Sequence, residues 1–250
     1  MLIRAISGIQ DYAFLLLEFF RGLKYIKKAK DDILSEMYLI GTKAFILISL
    51  GGLFIGVILA VEVGHHLQEF GTLPMLGKSV SLGMMRELGP IIGGLLFAAR
   101  TGAKNTSELG AMQLSEQIDA MRAFGTNPVN KLVLPKIVAA VIMFFPLIIA
   151  ADFLGIVSGM LISLVNFNLD LGFFWNSAVA AIEFKDLLLG SIKPFFFAFF
   201  ISSISCYYGF RTKGGTAGLG QATINSVVMS SLMVLILDFT LTKIVWILLG

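Results

Sequence analysis

The stretch AFILISLGGLFIGVILAVEV, residues 44–63, decides the fold class of this chain. Among its 20 residues only Glu62 is ionisable. A helix needs about 20 predominantly apolar residues to cross a bilayer. We therefore predict a transmembrane helix here, in which Gly52 and Gly56 stand one helical turn apart and let a second helix approach closely.

Four further segments are long and apolar enough to be read in the same way. We predict these spans near residues 80–99, 137–165, 187–210 and 227–249. The composition agrees, because 57% of the 250 residues are hydrophobic and only 14% are charged, which leaves no room for a soluble catalytic domain. The chain is predicted to be an all-α polytopic membrane protein whose five-span domain covers residues 44–250.

Residues 1–43 have a different pattern. Apolar residues recur at spacings of three and four on one helical face, namely Leu2, Ile6, Ile9, Ala13, Leu16, Phe20 and Leu23. The segment ends in a basic cluster, Arg21, Lys24, Lys27, Lys28 and Lys30. We interpret it as a cytoplasmic amphipathic helix lying at the membrane interface, followed by a basic linker. A soluble helix packed under the domain is the alternative. Because Glu18 and Arg21 interrupt the apolar run, no cleaved signal peptide is expected.

The positions of the basic residues predict the orientation in the membrane. With the N-terminus inside, 14 of the 19 lysines and arginines lie on the cytoplasmic side. Cytoplasmic loops are the ones enriched in these residues. Five spans then place the C-terminus outside. The small net charge of +3 and its clustering beside apolar spans argue against nucleic-acid binding, and the lone Cys206 cannot form an internal disulfide.

Ionisable residues inside the predicted spans are candidates for function. A charge at mid-span costs about 2.5–3.5 kcal/mol on insertion scales, so each of these residues needs a compensating partner or a polar cavity. Asp152 and Asp238 are expected to make structural polar contacts, to line a cavity, or to relay protons. Arg86 and Glu87 either face a polar cavity or form a mutual ion pair at the outer interface.

Between the second and third spans lies a polar stretch, residues 108–124, which is predicted to form one amphipathic cytoplasmic helix. Its apolar face comprises Ala111, Leu114, Ile118 and Met121, and its polar face includes Glu116, Gln117, Asp119 and Arg122. Such a helix either covers the end of the bundle or docks into a partner subunit. Gly125 and Pro128 are expected to end it.

Two ordered stretches carry a family resemblance. RELGPIIGGLLFAARTGAKNTSELGAMQLSEQIDAMRAFGTNPVNKLVLPK, residues 86–136, and GGTAGLGQATINSVV, residues 214–228, resemble the MlaE/YrbE permeases. The resemblance implies that residues 108–124 are a coupling helix that receives force from an ATPase, through Glu108, Glu116, Gln117, Asp119 and Arg122. It also implies that Arg86, Glu87 and Leu88 lie at a lipid-binding cavity.

The same resemblance implies a function and partners. It predicts an inner-membrane ABC permease subunit that moves phospholipid to or from an extracytoplasmic MCE-domain carrier and so maintains outer-membrane lipid asymmetry. The implied assembly contains a homodimer of this chain and a cytoplasmic ABC ATPase that uses the ATP, with a STAS-domain subunit as an open addition. No cofactor of the chain's own is expected.

Other functions find weaker support in the sequence. The glycine run at 214–220 lacks the GxxxxGK[ST] form of a phosphate-binding loop, and we expect a flexible, tightly turned cytosolic loop there. His65 and His66 are adjacent and so diverge on a helix, which argues against a metal site. No nucleophile and base stand at workable spacing, so a non-catalytic subunit is expected. An ion-coupled secondary transporter using Glu87, Asp152 and Asp238 is the alternative function.

Overall fold

The computed structural model describes residues 2–249, with side chains described for residues 8–248. This part of the chain is all-helical and has no strand. Its α-helices are α1 (Leu2–Gly22), α2 (Lys30–Glu69), α3 (Leu76–Gly83), α4 (Gly89–Phe97), α5 (Ala103–Leu114), α6 (Gln117–Ala123), α7 (Leu134–Phe167), α8 (Leu171–Ala180), α9 (Phe184–Phe210) and α10 (Gly215–Leu249).

Five helical stretches are long and apolar enough to cross a membrane, which confirms the predicted polytopic fold. They are Lys30–Glu69, Leu73–Leu114, Val129–Phe167, Phe184–Phe210 and Gly215–Leu248. Each predicted span lies within one of them, allowing for one residue at the C-terminal end, but the helices extend beyond the apolar cores. The second stretch stays helical from Leu73 to Leu114 because its α-helices are joined by π-helical turns rather than by loops.

Three π-helical turns interrupt the α-helical path, at Met84–Leu88, Ala98–Gly102 and Val129–Val133. Such turns widen the helix by one residue and are frequent at functional sites. The first of them carries the Arg86–Glu87 pair that the sequence singled out.

The chain divides into two compact units, each assembled from three separate segments. The first unit comprises Met1–Thr42, Phe97–Met143 and Ala198–Met233, and the second comprises Lys43–Leu96, Phe144–Phe197 and Val234–Gly250. The candidate residues divide between them. Arg86, Glu87, Asp152 and Asp238 belong to the second unit, and the predicted coupling segment belongs to the first.

In the first unit, α1 packs on α9 through one face and leaves another face exposed. The Tyr12 and Ser203 hydroxyl oxygens are 2.7 Å apart, and the ring of Phe19 lies edge-on to that of Phe199. The predicted apolar face is partly exposed, since Ile9 is 70% exposed and Phe20 is 54% exposed, and the Phe20 ring also stands 6.0 Å from that of Phe199. Leu2 and Ile6 lie outside the described side chains. An exposed apolar stripe beside a packed face suits a helix lying in a membrane surface.

In the second unit, α2 and α7 cross at the small residues that the sequence indicated. A side chain on Gly52 would overlap the Ala151 carbonyl, and one on Gly56 would overlap that of Gly155. The Ser158 hydroxyl also donates to the carbonyl of Leu53 at 2.8 Å. The prediction that these glycines permit close helix contact is confirmed.

Two predictions about the polar segments between the spans are wrong. Residues 108–124 do not form one helix, because Glu116 adopts a left-handed φ of 60° and separates α5 from α6. The glycine run at 214–220 is not a loop either. Gly214 and Gly215 have positive φ angles of 88° and 65°, and α10 begins at Gly215, so most of the run forms its first turns.

Candidate functional site

The site is built around the π-helical turn Met84–Leu88. The N–H of Gly89 bonds to the carbonyl of the first residue of the turn, which is the wider i to i+5 pattern. In an α-helix the Arg86 carbonyl would accept a hydrogen bond from the backbone N–H of residue 90. Pro90 has no N–H, so this bond cannot form. The ammonium of Lys193 supplies a donor instead, at 2.6 Å.

Lys193 is the centre of the charged cluster. Its side chain is fully buried, and its Nζ lies 2.7 Å from Glu87 Oε2 and 2.7 Å from Asp238 Oδ1. The ammonium donates hydrogen bonds to the Arg86 carbonyl and to Glu87, whereas its contact with Asp238 is an ion pair without hydrogen-bond geometry. Thr242 donates to Glu87 Oε1 at 3.0 Å. Two carboxylates therefore share one buried lysine.

Arg86 does not pair with Glu87. Its Nε and Nη2 both lie 2.6 Å from Oδ1 of Asp186, and its guanidinium stands 5.7 Å from the centre of the Trp246 ring. Asp186 is held in turn by the N–H of Glu183. The alternative of a mutual Arg86–Glu87 ion pair is therefore wrong, because adjacent helical residues point in different directions and each meets its own partner.

A cavity of about 330 Å³ opens on the cluster. It is lined by Glu87, Asp238, Phe239, Thr242 and Lys243, four of which lie on α10. Glu87 thus faces a cavity, as one reading of the sequence had it. Leu88 does not line this cavity but packs against the hydrophobic core formed around Met84 and Phe174.

Asp152 lies apart from the cluster. Its carboxylate is buried against the backbone of Gly89, where a side chain would overlap Oδ1. No hydrogen-bond partner for that oxygen occurs among the described residues. The structure therefore unites Glu87 with Asp238 through Lys193, but does not bring Asp152 to the same lysine.

The sequence reasoning missed Lys193, Asp186 and Thr242. Lys193 was detectable, because a lysine followed by Pro194 in an otherwise apolar span must find acceptors. Its partners were not detectable from spacing, since Glu87, Lys193 and Asp238 are contributed by three different helical stretches.

The predicted coupling segment is the two-helix element α5–α6 of the first unit. Asp119 pairs with Arg122 at 2.9 Å and accepts from Gln113 at 3.2 Å. Ile118 is fully buried, whereas Phe124 is 87% exposed. Glu116 and Gln117 are exposed at the break between the two helices. An exposed aromatic beside a charged pair is typical of a protein-binding surface.

A second buried lysine fixes α5 to its neighbours. Lys136, at the start of α7, is 2% exposed and donates to Glu36 on α2 and, at 2.9 Å, to Glu108 on α5. Lys104 contacts the same two carboxylates, at 2.9 Å and 3.5 Å. The predicted coupling residue Glu108 is therefore part of an ion network that joins three helices of the first unit.

The adjacent histidines diverge as predicted. His66 stands 3.5 Å from Glu62 and 3.9 Å from Glu69, and all three side chains are exposed. His65 instead meets the ring of Phe167 edge-on. The two imidazoles do not converge on one point.

A multi-span helical protein with a charged cluster and a cavity set among apolar helices belongs to the class of membrane transport proteins. The family model described as "Permease MlaE" matches residues 33–244, and the chain belongs to that family. It is 34% identical over 226 residues to the intermembrane phospholipid transport system permease protein MlaE of Haemophilus influenzae, covering 90% of this chain and 87% of that protein.

Other relatives have similar coverage. A probable ABC transporter permease protein of Rickettsia typhi is 31% identical over 214 residues, which is 86% of this chain and 83% of the relative. A probable ABC transporter permease protein of Synechocystis is 28% identical over 213 residues, covering 85% and 81%. These matches run through both compact units.

Proposed function

We propose that this chain is the permease subunit of an ABC transporter that moves phospholipid between the inner membrane and an extracytoplasmic MCE-type carrier, and so maintains outer-membrane lipid asymmetry. The single observation that carries the proposal is the cavity beside the Glu87–Lys193–Asp238 cluster. Buried charges within a span are retained where a polar ligand or water must be accommodated. The Haemophilus relative is an intermembrane phospholipid transport system permease protein, which supports phospholipid as that ligand.

The proposed partners follow from two exposed surfaces. A cytoplasmic ABC ATPase would dock on α5–α6 and use the ATP, because this element presents Phe124 and the Asp119–Arg122 pair to the outside. A second copy of the chain would pack along the part of α10 that precedes the cavity, where Ile224, Val228 and Leu232 are 50–58% exposed, because the apolar window of α10 is only 17% buried, against 33–50% in the other spans. The carrier and a STAS-domain subunit complete the proposed assembly.

The alternative function is an ion-coupled secondary transporter that uses Glu87, Asp152 and Asp238. One observation favours it, namely the buried Asp152 carboxylate without a cationic partner among the described residues. Against it, Lys193 holds Glu87 and Asp238 together but does not contact Asp152, so the three carboxylates do not form one continuous path.

The test is purification in mild detergent followed by reconstitution. We expect an ATPase and a lipid-binding protein to co-purify, and the reconstituted complex to transfer fluorescent phospholipid only with ATP. Glu87→Gln should lower transfer and the amount of bound phospholipid while leaving expression and assembly intact. Transfer driven by a proton gradient without an ATPase would instead favour the secondary transporter.

A further inference from the structure

We propose that the cavity beside Lys193 selects zwitterionic phospholipid headgroups, those with an ammonium as well as a phosphate. The inference rests on the proposed function and names the class of lipid that the same site takes. It is motivated by the separation of negative and positive charge along the cavity.

The buried part of the cluster carries a surplus negative charge. Glu87 and Asp238 share the single charge of Lys193, so the three groups together carry one net negative charge. Asp238 presents Oδ1 to the lysine, and no hydrogen bond to its Oδ2 occurs in the described part of the chain. Glu87 retains 37% side-chain exposure on the cavity side. The Asp238 carboxylate, at 8% exposure, is largely removed from solvent, and a surplus charge at such a site is costly unless a cation reaches it.

The opposite charge stands on the same cavity wall. Lys243 follows Thr242 on α10, and its ammonium forms no ion pair with a described carboxylate. It lies five residues beyond Asp238, about 7.5 Å along the helix axis. The cavity is therefore neutral as a whole, but it has a negative inner part and a positive outer part.

A zwitterionic headgroup matches this arrangement. Its phosphate would meet the ammonium of Lys243, which recognises phosphate as a point charge. Its own ammonium would meet the Asp238 and Glu87 carboxylates. Phe239, 67% exposed and lining the same cavity, adds a ring face that attracts an ammonium group. An anionic headgroup without an ammonium would satisfy Lys243 but leave the carboxylate surplus uncompensated.

The experiment measures the lipid retained by the purified transporter complex. The complex is reconstituted in membranes containing equal amounts of phosphatidylethanolamine and phosphatidylglycerol with identical acyl chains, then extracted, and the bound lipids are quantified by mass spectrometry. We expect phosphatidylethanolamine to exceed phosphatidylglycerol by about fivefold, the ratio that one weak ion pair supplies.

Two variants separate the two ends of the cavity. Asp238→Asn keeps an acceptor for Lys193 but removes the charge, so the retained ratio should fall toward one. Lys243→Gln, at an exposed position, should lower retention of both lipids while the preference for phosphatidylethanolamine persists. Lys78→Gln is the matched control, since Lys78 is an exposed lysine of the same unit that does not line the cavity.

The outcomes also separate this inference from the proposed function. Retained lipid at the membrane ratio in the wild type, or an unchanged ratio in Asp238→Asn, would overturn headgroup selection while ATP-dependent transfer continued. Wild-type retention of both lipids in Lys243→Gln would overturn the role of that lysine. A complex that retains and transfers neither lipid would instead contradict the proposed function itself.

Discussion

At the scale of single residues, we predict that Lys193 contributes more to the stability of the second unit than any surface lysine does. Replacing it by methionine would leave Glu87 and Asp238 facing each other without their shared cation. Removing one partner of a buried ion pair costs about 3–5 kcal/mol. We expect Lys193→Met to lower the thermal unfolding midpoint of the purified protein substantially.

A rescue experiment isolates the charge from the packing. Adding Glu87→Gln and Asp238→Asn to Lys193→Met removes both uncompensated carboxylates, so part of the lost stability should return. Lys78→Met, at an exposed site, should leave the midpoint unchanged. If Lys193→Met unfolds at the wild-type temperature, the buried ammonium contributes nothing to stability.

Residue patterns indicated candidate functional positions but not which of their side chains contact one another. The cost of ionisable groups within a span singled out Glu87 and Asp238, and the structure brings both to one lysine. Their common partner depends on how three helical stretches pack, which spacing along one helix does not contain. The neighbour Leu88 was expected at the cavity from resemblance alone, yet its apolar side chain packs into the core.

At the scale of elements, α6 is a short helix, and we predict that its charged pair both stabilises the helix and contacts the proposed ATPase. Asp119→Lys breaks the 2.9 Å pair with Arg122 and also reverses the charge offered to a partner. We expect weaker association of the ATPase, measured by complex yield, while the membrane domain stays folded. Arg122→Glu should act in the same way.

The charge-swapped double variant Asp119→Arg with Arg122→Asp distinguishes the two roles. It restores an intrahelical pair, worth about 0.2–0.5 kcal/mol, but keeps the reversed pattern at the surface. Association should therefore stay weak if the ATPase recognises these charges. Full recovery in the double variant would mean that the pair only stabilises α6, and wild-type yield in both single variants would contradict the coupling role.

Two lysines in the ion network of the first unit can be compared directly, because they differ mainly in burial. Lys136 and Lys104 contact the same two carboxylates, but their side chains are 2% and 41% exposed. We expect Lys136→Met to lower the free energy of unfolding by about 3–5 kcal/mol, and Lys104→Met by about 1 kcal/mol or less. Denaturant unfolding followed by circular dichroism measures both. Equal losses would show that burial does not set the cost.

The extent of each element was less predictable than its existence. Apolar windows located the five spans because a bilayer-crossing backbone must satisfy its hydrogen bonds internally, as a helix does. The break at Glu116 was not foreseen, because an apolar periodicity runs across it and glutamate rarely adopts a positive φ. The helical start of α10 was missed because a run of glycines is typical of a loop, whereas here most of the run forms the first turns of the helix.

At the scale of the whole molecule, the distribution of basic residues predicts the orientation of the chain in the membrane, which the positions of the helices alone do not determine. Placing 14 of 19 lysines and arginines inside puts the N-terminus in the cytoplasm and α8 outside. Phe173 on α8 is 47% exposed, and Thr126, after α6, is also exposed, so both positions can carry a probe.

The orientation is tested by single cysteines at these two sites in a Cys206→Ala background. An impermeant maleimide added to right-side-out vesicles should label Phe173→Cys directly, because α8 would face the outside. Thr126→Cys should react only after permeabilisation, because the segment following α6 would face the cytoplasm. The reverse pattern would invert the topology, and it would also place the proposed ATPase-docking surface on the side of the membrane that lacks ATP.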